Sequence, residues 1–237
     1  MYGICEIWDC LGIYHDIYIN IMSIKLDIVN KTTSLVAKRN SGKSVLLKYL
    51  VQNSRSKFSK IFVVCPTESV NSFYSDLVEA NCIFDSWNEQ WADSLIQKMT
   101  TQNANKSKEE KKNILIILDD VMSDTNFGQS PALKKLYTRG RHINIAVIAT
   151  CQYLYNLPPI CRSNADWCIV GQMNRQSIQL LAEEYLSGDL DKAEFVKLYN
   201  RSTKDYKFLI INNNSIKDSD DLNQIYGVIK TPESYVV

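Results

Sequence analysis

Short apolar runs alternate along this chain with stretches whose apolar residues recur at helical spacing. The apolar runs predict strands at 33–36, 61–65, 114–118, 144–150, 167–171 and 208–211. Helical spacing predicts helices at 43–52, 131–137, 177–186 and 191–199, and in two pieces within 71–99. Strands that alternate with helices form parallel βαβ units, so the pattern indicates an α/β fold with a mostly parallel central sheet flanked by helices.

Two segments fall outside this alternation. Residues 1–21 lack a basic start and carry Glu6, Asp9 and Asp16 among apolar residues, which argues against a signal peptide. We interpret 1–21 as an N-terminal extension, either a strand-rich cover or a dispensable segment, and 22–237 as a single domain. The polar stretch 101–113 predicts a solvated connection, and a polar tail follows the run 208–211.

Composition excludes several classes of protein. Charged residues make up 22% of the 237 residues and nearly cancel to a net charge of +1, which excludes a disordered chain and a uniformly basic one. No apolar run reaches the ~18 residues of a membrane span, so we expect no membrane association. The seven cysteines form no CxxC pair and are expected to be buried free thiols in a reducing compartment. The two histidines have no partner at metal spacing, which argues against a zinc site.

The strongest chemical signal is a phosphate-binding loop between the first predicted strand and the first predicted helix. The residues that form it are Ala37, Lys38, Arg39, Asn40, Ser41, Gly42, Lys43 and Ser44. They fit the pattern GxxxxGK[ST], except that Ala37 stands where the first glycine usually is. In such a loop, backbone N–H groups surround the β-phosphate of ATP, Lys43 reaches the β- and γ-phosphate oxygens, and the Ser44 hydroxyl binds Mg²⁺.

An acidic pair follows the most apolar predicted strand. The run ILIIL ends in Asp119 and Asp120, and the carboxyl end of a parallel strand is where α/β folds bind ligands. Asp119 is expected to bind Mg²⁺, and Asp120 to polarise an attacking water. The run 61–65 lies between Lys43 and Asp119 in the chain, which predicts an additional strand between the two strands of the site, as in ATPases with a catalytic acid.

Two further polar features flank the predicted strand 144–150. The preceding loop contains Arg139 and Arg141, either of which could neutralise transition-state charge in the site of a neighbouring subunit. The strand ends at Gln152, whose amide could bind the γ-phosphate or the attacking water. Because both arginines precede the strand, and seven strand residues span about 23 Å, neither can reach the γ-phosphate of its own chain.

The motifs AKRNSGKS, ILIILDD, YTRGRH and IATCQ occur in this order over roughly residues 35–211. This set resembles the DNA-packaging ATPases of poxviruses, other large nucleocytoplasmic DNA viruses, polintons and virophages, within the FtsK/HerA superfamily. The resemblance implies a P-loop ATPase that forms a homo-oligomeric ring and drives double-stranded DNA into a preformed capsid through its portal-like vertex. It also implies location in the host cytoplasm, at the virus factory, with the virion as a second location.

The resemblance assigns a role to each site residue. It implies that Lys43 and Ser44 contact nucleotide and metal, Asp119 and Asp120 serve as metal ligand and catalytic acid, and Gln152 senses the nucleotide. Either Arg139 or Arg141 would act in trans. Candidate DNA contacts are Arg55, Lys57, Lys60 and the lysines within 106–112.

The alternatives are an ATPase of the same superfamily with another cargo, such as a filament-assembly or conjugation motor, and a nucleoside or small-molecule kinase. A non-catalytic nucleotide-binding scaffold is a third class, against which the intact acidic pair argues. Stimulation of ATP hydrolysis by DNA would separate the packaging motor from these alternatives.

Overall fold

The structure is a computed structural model that describes residues 26–107, 110–121, 127–186, 190–215 and 221–232. The predicted extension 1–21 lies outside the described residues. The division of the chain into this extension and one domain therefore stays a prediction.

The described residues form one eight-stranded sheet whose order is β3-β2-β4-β5-β1-β6-β7-β8. The strands are β1 (Thr32–Val36), β2 (Lys60–Val64), β3 (Ile83–Phe84), β4 (Ile114–Asp119), β5 (Ile145–Cys151), β6 (Trp167–Val170), β7 (Lys207–Asn212) and β8 (Tyr226–Lys230). The first six strands pair in parallel, whereas β7 and β8 are antiparallel to their neighbours. The predicted α/β architecture is confirmed.

Helices connect the strands and cover the sheet. They are α1 (Lys43–Ser54), α2 (Glu68–Asn71), α3 (Glu89–Asn103), α4 (Pro131–Arg139), α5 (Pro159–Asn164), α6 (Arg175–Tyr185), α7 (Lys192–Ser202) and α8 (Leu222–Ile225). Side-chain caps fix several of their starts: Asn88 caps α3, Ser130 caps α4, and Asp191 with Glu194 forms a capping box on α7. Within the described residues, no helix combines the length and the apolar character that a membrane span requires.

The sheet separates two apolar clusters. One face is covered by α1, whose Leu46, Leu47 and Leu50 pack on inward-facing residues of the strands. The other face is covered by α3, α4, α6 and α7, with buried residues such as Leu133 and Phe195. A sheet buried on both faces needs continuously apolar strands, and β4 and β5 meet this requirement because almost every residue in them is buried.

The additional strand between the two site strands is β5, not the strand predicted at 61–65. The phosphate-binding loop leaves β1, the acids end β4, and β5 pairs with both. β2 pairs with β4 on the side away from β1. Position along the chain does not fix position in a parallel sheet, because each crossover helix can carry the chain past a neighbouring strand.

Three other expectations need correction. Two helices were expected within 71–99, but residues 72–79 form turns, Ala80–Cys82 forms a short 3-10 helix before β3, and α3 begins only at Glu89. α3 then continues to Asn103, into the stretch predicted to be a solvated connection. β8 lies beyond the run that was expected to be the last strand. These are segments in which a short strand or a half-polar helix gives weak periodicity.

Candidate nucleotide-binding site

The predicted phosphate-binding loop joins the carboxyl end of β1 to the start of α1. Gly42 precedes the helix with a φ of +84°, a left-handed conformation that glycine adopts without steric cost. Asn40 has a φ of +58°, which asparagine tolerates better than most residues. The Ser41 hydroxyl donates to the Lys38 carbonyl at 2.7 Å and closes the loop. The first N–H groups of α1 have no intrahelical acceptor and are available to an anion.

Ala37 fits the first position of the loop because of a glycine on the neighbouring strand. The Ala37 N–H donates to the Cys151 carbonyl at 3.2 Å, and the residue is fully buried. A Cβ placed on Gly171 would lie 2.9 Å from the Cβ of Ala37. The methyl group of Ala37, which the usual glycine lacks, therefore fits because Gly171 has no side chain to occupy the same space.

The register between β4 and β5 brings the acidic pair together with a threonine. Asp119 pairs with Thr150 across the two strands. The Thr150 hydroxyl donates to Asp119 Oδ1 at 2.5 Å and accepts the N–H of Asp120 at 3.2 Å. Asp120 has a φ of +55°, so the chain turns away from the strand immediately after Asp119. The Thr150 hydroxyl thus fixes both the Asp119 carboxylate and the backbone of Asp120.

Lys43, Asp120 and Gln152 converge at the carboxyl edge of the sheet. Lys43 Nζ lies 3.3 Å from Asp120 Oδ1, and Gln152 Nε2 donates to Asp120 Oδ2 at 3.0 Å. The Lys43 side chain is 10% exposed and that of Asp120 is 41% exposed. The lysine is thus held in position, while the carboxylate remains open to solvent.

These residues line one cleft of about 530 Å³. Its walls include all residues from Lys38 to Val45, the acids Asp119 and Asp120, and Gln152. Seven of the eight predicted loop residues, all except Ala37, therefore face the same space as the predicted acids and amide. Three motifs that are distant in the sequence form one site.

The sequence analysis did not identify Tyr74, which contacts the second carboxylate oxygen of Asp119, or Glu68, which fixes the turn that carries Tyr74. Tyr74 is fully buried and its hydroxyl donates to Asp119 Oδ2 at 2.8 Å. Burial and the nearby Asp119 carboxylate raise the pKa of Tyr74 well above its usual value, so the phenol remains a donor. Glu68 accepts the N–H groups of Phe73 and Tyr74 at 3.0 and 2.7 Å and fixes this turn. The available signal was an aromatic, turn-rich stretch directly after an apolar strand.

The arginines of the predicted finger lie away from this cleft. Both are exposed, at the end of α4 and in the turn before β5. Arg141 Nη1 lies 3.7 Å from Asp166 Oδ1, and Asp166 accepts the N–H of Thr32 at the start of β1. The predicted position at the amino end of the sheet is therefore confirmed, whereas the role in a neighbouring site stays a prediction.

The donor set fits a magnesium nucleotide. The Ser44 hydroxyl and the Asp119 carboxylate line the same cleft, and hydroxyl and carboxylate oxygens are the ligands that Mg²⁺ prefers. In such sites most remaining ligands come from phosphates and water. Among the residues that the structure describes, no group of three His, Cys, Asp and Glu side chains is placed to hold a metal ion by itself.

The described cysteines are free and buried: Cys65, Cys82, Cys151, Cys161 and Cys168. Burial raises the pKa of Cys151, Cys161 and Cys168 to about 12, so these thiols remain protonated at neutral pH. The prediction of buried free thiols is confirmed for these residues. Cys5 and Cys10 lie outside the described part of the chain.

The sequence model of the Poxvirus A32 protein family matches residues 24–226. The chain belongs to the Poxvirus A32 protein family. The resemblance to poxvirus-type packaging ATPases, which rested on four motifs, is thereby confirmed. Two relatives of the chain come from iridescent viruses. Protein 075L of Invertebrate iridescent virus 6 is 28% identical over 194 residues, which cover 81% of this chain and 74% of the relative. Protein 088R of Invertebrate iridescent virus 3 is 26% identical over 199 residues, which cover 84% and 74% of the two chains.

A solved structure supports the fold assignment of this A32 family member. The genome packaging NTPase B204 of Sulfolobus turreted icosahedral virus 2, in complex with AMPPCP, matches with a TM-score of 0.59. The match covers 85% of this chain and 98% of B204, at 20% sequence identity. At this identity the likeness establishes a shared P-loop NTPase fold.

Proposed function

We propose that this chain is an ATP-driven motor that translocates double-stranded viral DNA into a preformed capsid. The observation that carries the proposal is the convergence of Lys43 and Gln152 on the Asp120 carboxylate at the mouth of the phosphate-binding loop. Membership of the A32 family and the B204 fold support the choice of cargo, because B204 is described as a genome packaging NTPase.

Each side chain has a chemical task in hydrolysis. Lys43 offsets the charge on the β- and γ-phosphate oxygens. Asp120 accepts a proton from, or polarises, the attacking water, and Gln152 orients the same carboxylate through its amide N–H. Lys43 and Gln152 both contact the Asp120 carboxylate. Loss of the γ-phosphate removes negative charge beside Lys43 and so changes the charge around this carboxylate, which supports a sensor role for Gln152.

Magnesium would be held by Ser44 and Asp119. Bound Mg²⁺ supplies positive charge that neutralises the phosphate oxygens during transfer. Thr150 and Tyr74 each donate a hydrogen bond to one oxygen of Asp119, at 2.5 and 2.8 Å. They fix the orientation of this carboxylate, as outer partners of metal ligands generally do.

A ring would complete the site. Arg139 and Arg141 are exposed at the amino end of β5, about 23 Å of strand away from Gln152. A neighbour packed head-to-tail could place one of them against the γ-phosphate of this chain. The proposal therefore includes a homo-oligomeric ring with a shared active site.

The two basic stretches proposed to contact DNA lie beside one another. The Ser59 N–H donates to the Asn113 carbonyl at 2.9 Å, and Asn113 Nδ2 donates to the Lys57 carbonyl at 3.3 Å. This contact sets Lys57 and Lys60 beside Lys112, and the exposed basic residues of the two stretches are Arg55, Lys57, Lys60, Lys106 and Lys112. A local basic surface suits a sequence-independent contact with phosphates, and it is compatible with a net charge of +1 for the chain. Docking to the capsid or its portal-like vertex, in the host cytoplasm, completes the proposed function.

The test is ATP hydrolysis by the purified chain with and without double-stranded DNA, combined with a mass measurement of the assembly. We expect hydrolysis that DNA stimulates, and a mass that is a multiple of 27.2 kDa. Lys43→Ala should abolish turnover and leave the fold intact. Lys48→Ala, a change of a half-buried lysine paired with Asp76, should leave both the fold and turnover intact. Full turnover by Lys43→Ala would contradict the assignment of the loop, and turnover that DNA does not change would favour another cargo.

A further inference from the structure

The last two strands bring a tyrosine to the phosphate-binding loop. β7 is antiparallel to β6 and β8 is antiparallel to β7, so β7 begins and β8 ends at the edge where the loop lies. Tyr206 directly precedes β7, and Thr231 directly follows β8. A Cβ placed on Gly42 would lie 3.3 Å from Cδ1 of Tyr206 and 3.1 Å from Oγ1 of Thr231. Both side chains are therefore direct neighbours of the loop.

Tyr206 lies on the side of the loop away from the acids. In the sheet, β5 and β4 follow β1 in one direction and carry Gln152, Asp119 and Asp120. β6, β7 and β8 follow β1 in the other direction. Lys43 reaches toward the first group, where it contacts Asp120. A nucleotide whose terminal phosphate lies at Asp120 can place its sugar and base on the side of the loop where Tyr206 lies.

The backbone at Tyr206 is in a conformation that a bulky residue rarely adopts. Tyr206 has a φ of +58° and follows Asp205, which has a φ of +54°. Left-handed conformations suit glycine, asparagine and aspartate and are outliers for large side chains. Thr231 holds this geometry, because its N–H and its hydroxyl both donate to the Tyr206 carbonyl at 3.0 Å.

Packing does not account for this residue. The Tyr206 side chain is 53% exposed, more than any other large hydrophobic side chain in the described part of the protein. Asparagine or glycine would satisfy the backbone at lower conformational cost. A half-exposed aromatic ring in a strained position beside a nucleotide loop indicates a role outside folding.

We propose that the Tyr206 ring is a stacking platform for the base of the bound nucleoside triphosphate, and that Thr231 fixes the backbone that presents it. This inference rests on the proposed nucleotide-binding function of the cleft. Stacking on an aromatic ring uses the π-face that every base has, so it provides affinity with little choice among bases. The larger ring system of a purine gains more from it than a pyrimidine does, and ATP and GTP should bind with similar affinity.

Equilibrium binding of ATP and of inorganic triphosphate, both with Mg²⁺, separates the base contact from the phosphate contacts. Tyr206→Ala should weaken ATP binding about tenfold, within the range that stacking contributes, and leave the affinity for triphosphate unchanged. Tyr206→Phe keeps the ring and should bind both ligands as the wild type does. Asp205→Asn is the matched control next to it and should also bind both normally. Equal ATP affinity of Tyr206→Ala and the wild type, or equal losses for both ligands, would overturn the proposal.

A second measurement tests whether the ring is retained at the expense of stability. Tyr206→Asn should match or exceed the melting temperature of the wild type, because asparagine suits the left-handed backbone, and it should lose ATP affinity as Tyr206→Ala does. A clear fall in the melting temperature of Tyr206→Asn would show that the ring serves the fold and would overturn the proposal.

The same assays separate this inference from the proposed function. If the wild type binds ATP and triphosphate and Lys43→Ala binds neither, the cleft is a nucleotide site, and the Tyr206 variants alone decide the platform. If the wild type binds neither ligand, the proposed function fails and the platform fails with it.

Discussion

The Tyr74 hydroxyl donates a 2.8 Å hydrogen bond to Oδ2 of Asp119 from a fully buried position. Asp119 is the proposed metal ligand, and Tyr74 comes from the turn that follows β2. Thr150 donates to the other oxygen of the same carboxylate. Each oxygen of the carboxylate thus accepts from a hydroxyl of a different element, and its remaining lone pairs are left to face the cleft.

We expect Tyr74→Phe to raise the Mg²⁺ concentration needed for half-maximal ATP hydrolysis by about tenfold, the effect typical of losing an outer partner of a metal ligand. ATP binding measured without Mg²⁺ should stay unchanged, because Tyr74 is not among the residues that line the nucleotide-binding cleft. The measurement is a Mg²⁺ titration of turnover.

The matched control is Tyr185→Phe, which removes another buried hydroxyl. The Tyr185 hydroxyl on α6 donates to the Arg162 carbonyl on α5 at 2.8 Å, and neither residue lines the cleft. This change should affect stability without changing the Mg²⁺ titration. Equal titration curves for Tyr74→Phe and the wild type would contradict a positioning role for Tyr74.

The two acids are predicted to differ in effect. Asp120→Asn should retain ATP binding and lose hydrolysis by a factor of about 10² or more, because an amide does not accept a proton as a carboxylate does. The amide oxygen can still accept from Lys43, and the Gln152 amide can rotate so that its oxygen accepts from the new NH2 group, so the geometry should persist. Asp119→Asn should in addition weaken Mg²⁺-dependent binding. Nucleotide affinities that fall equally in both variants would refute this division of roles.

Replacement of both Arg139 and Arg141 by alanine should leave ATP binding by a single chain nearly unchanged and remove most turnover. Mixing this double variant with Asp120→Asn should restore some activity, since some interfaces then pair an intact acid with intact arginines. Arg201→Ala, which changes another exposed arginine at the end of α7, is the control and should behave as wild type. Mixed rings that are confirmed by mass but show no recovery at any ratio would rule out the trans role.

Glu89 gives a prediction about stability and pH. It starts α3 and accepts from the Ser130 hydroxyl, the Ala132 N–H and the Trp87 indole, and so ties α3 to α4. Burial alone would raise the pKa of Glu89, but these hydrogen bonds outweigh it and lower the pKa below 4.5. A lowered pKa means that the carboxylate stabilises the fold above about pH 4.5 and that this contribution is lost as the pH falls through the folded-state pKa.

Glu89→Gln should therefore lower the melting temperature at pH 7, and this difference from the wild type should be smaller at pH 3, because the contribution of the carboxylate is lost as the pH falls through its folded-state pKa. Thermal unfolding at the two pH values measures this. Glu79→Gln, at an exposed position, is the control for a general effect of charge. A difference for Glu89→Gln that is as large at pH 3 as at pH 7 would show that ionisation is not its cause.

The sequence by itself determined the strands that carry the site and the chemistry at their ends. Five successive apolar residues before Asp119 and the GKS triplet before α1 are local patterns. A continuously apolar run is stable only as a strand buried on both faces, and its carboxyl end then lies at the ligand-binding edge. For the same reason, the position of Arg139 and Arg141 at the opposite edge followed from their place before β5.

Only the tertiary structure decided which elements meet. The strand between β1 and β4 is β5, and this pairing sets Thr150 opposite Asp119. Tyr74 and Tyr206 come from turns, and Glu68 from the one-turn helix α2, and none of these segments carries a periodic signal. Periodicity reports how a segment buries one of its own faces, whereas strand order, register and turn placement depend on contacts between residues far apart in the chain, and those contacts exist only once the sheet has assembled.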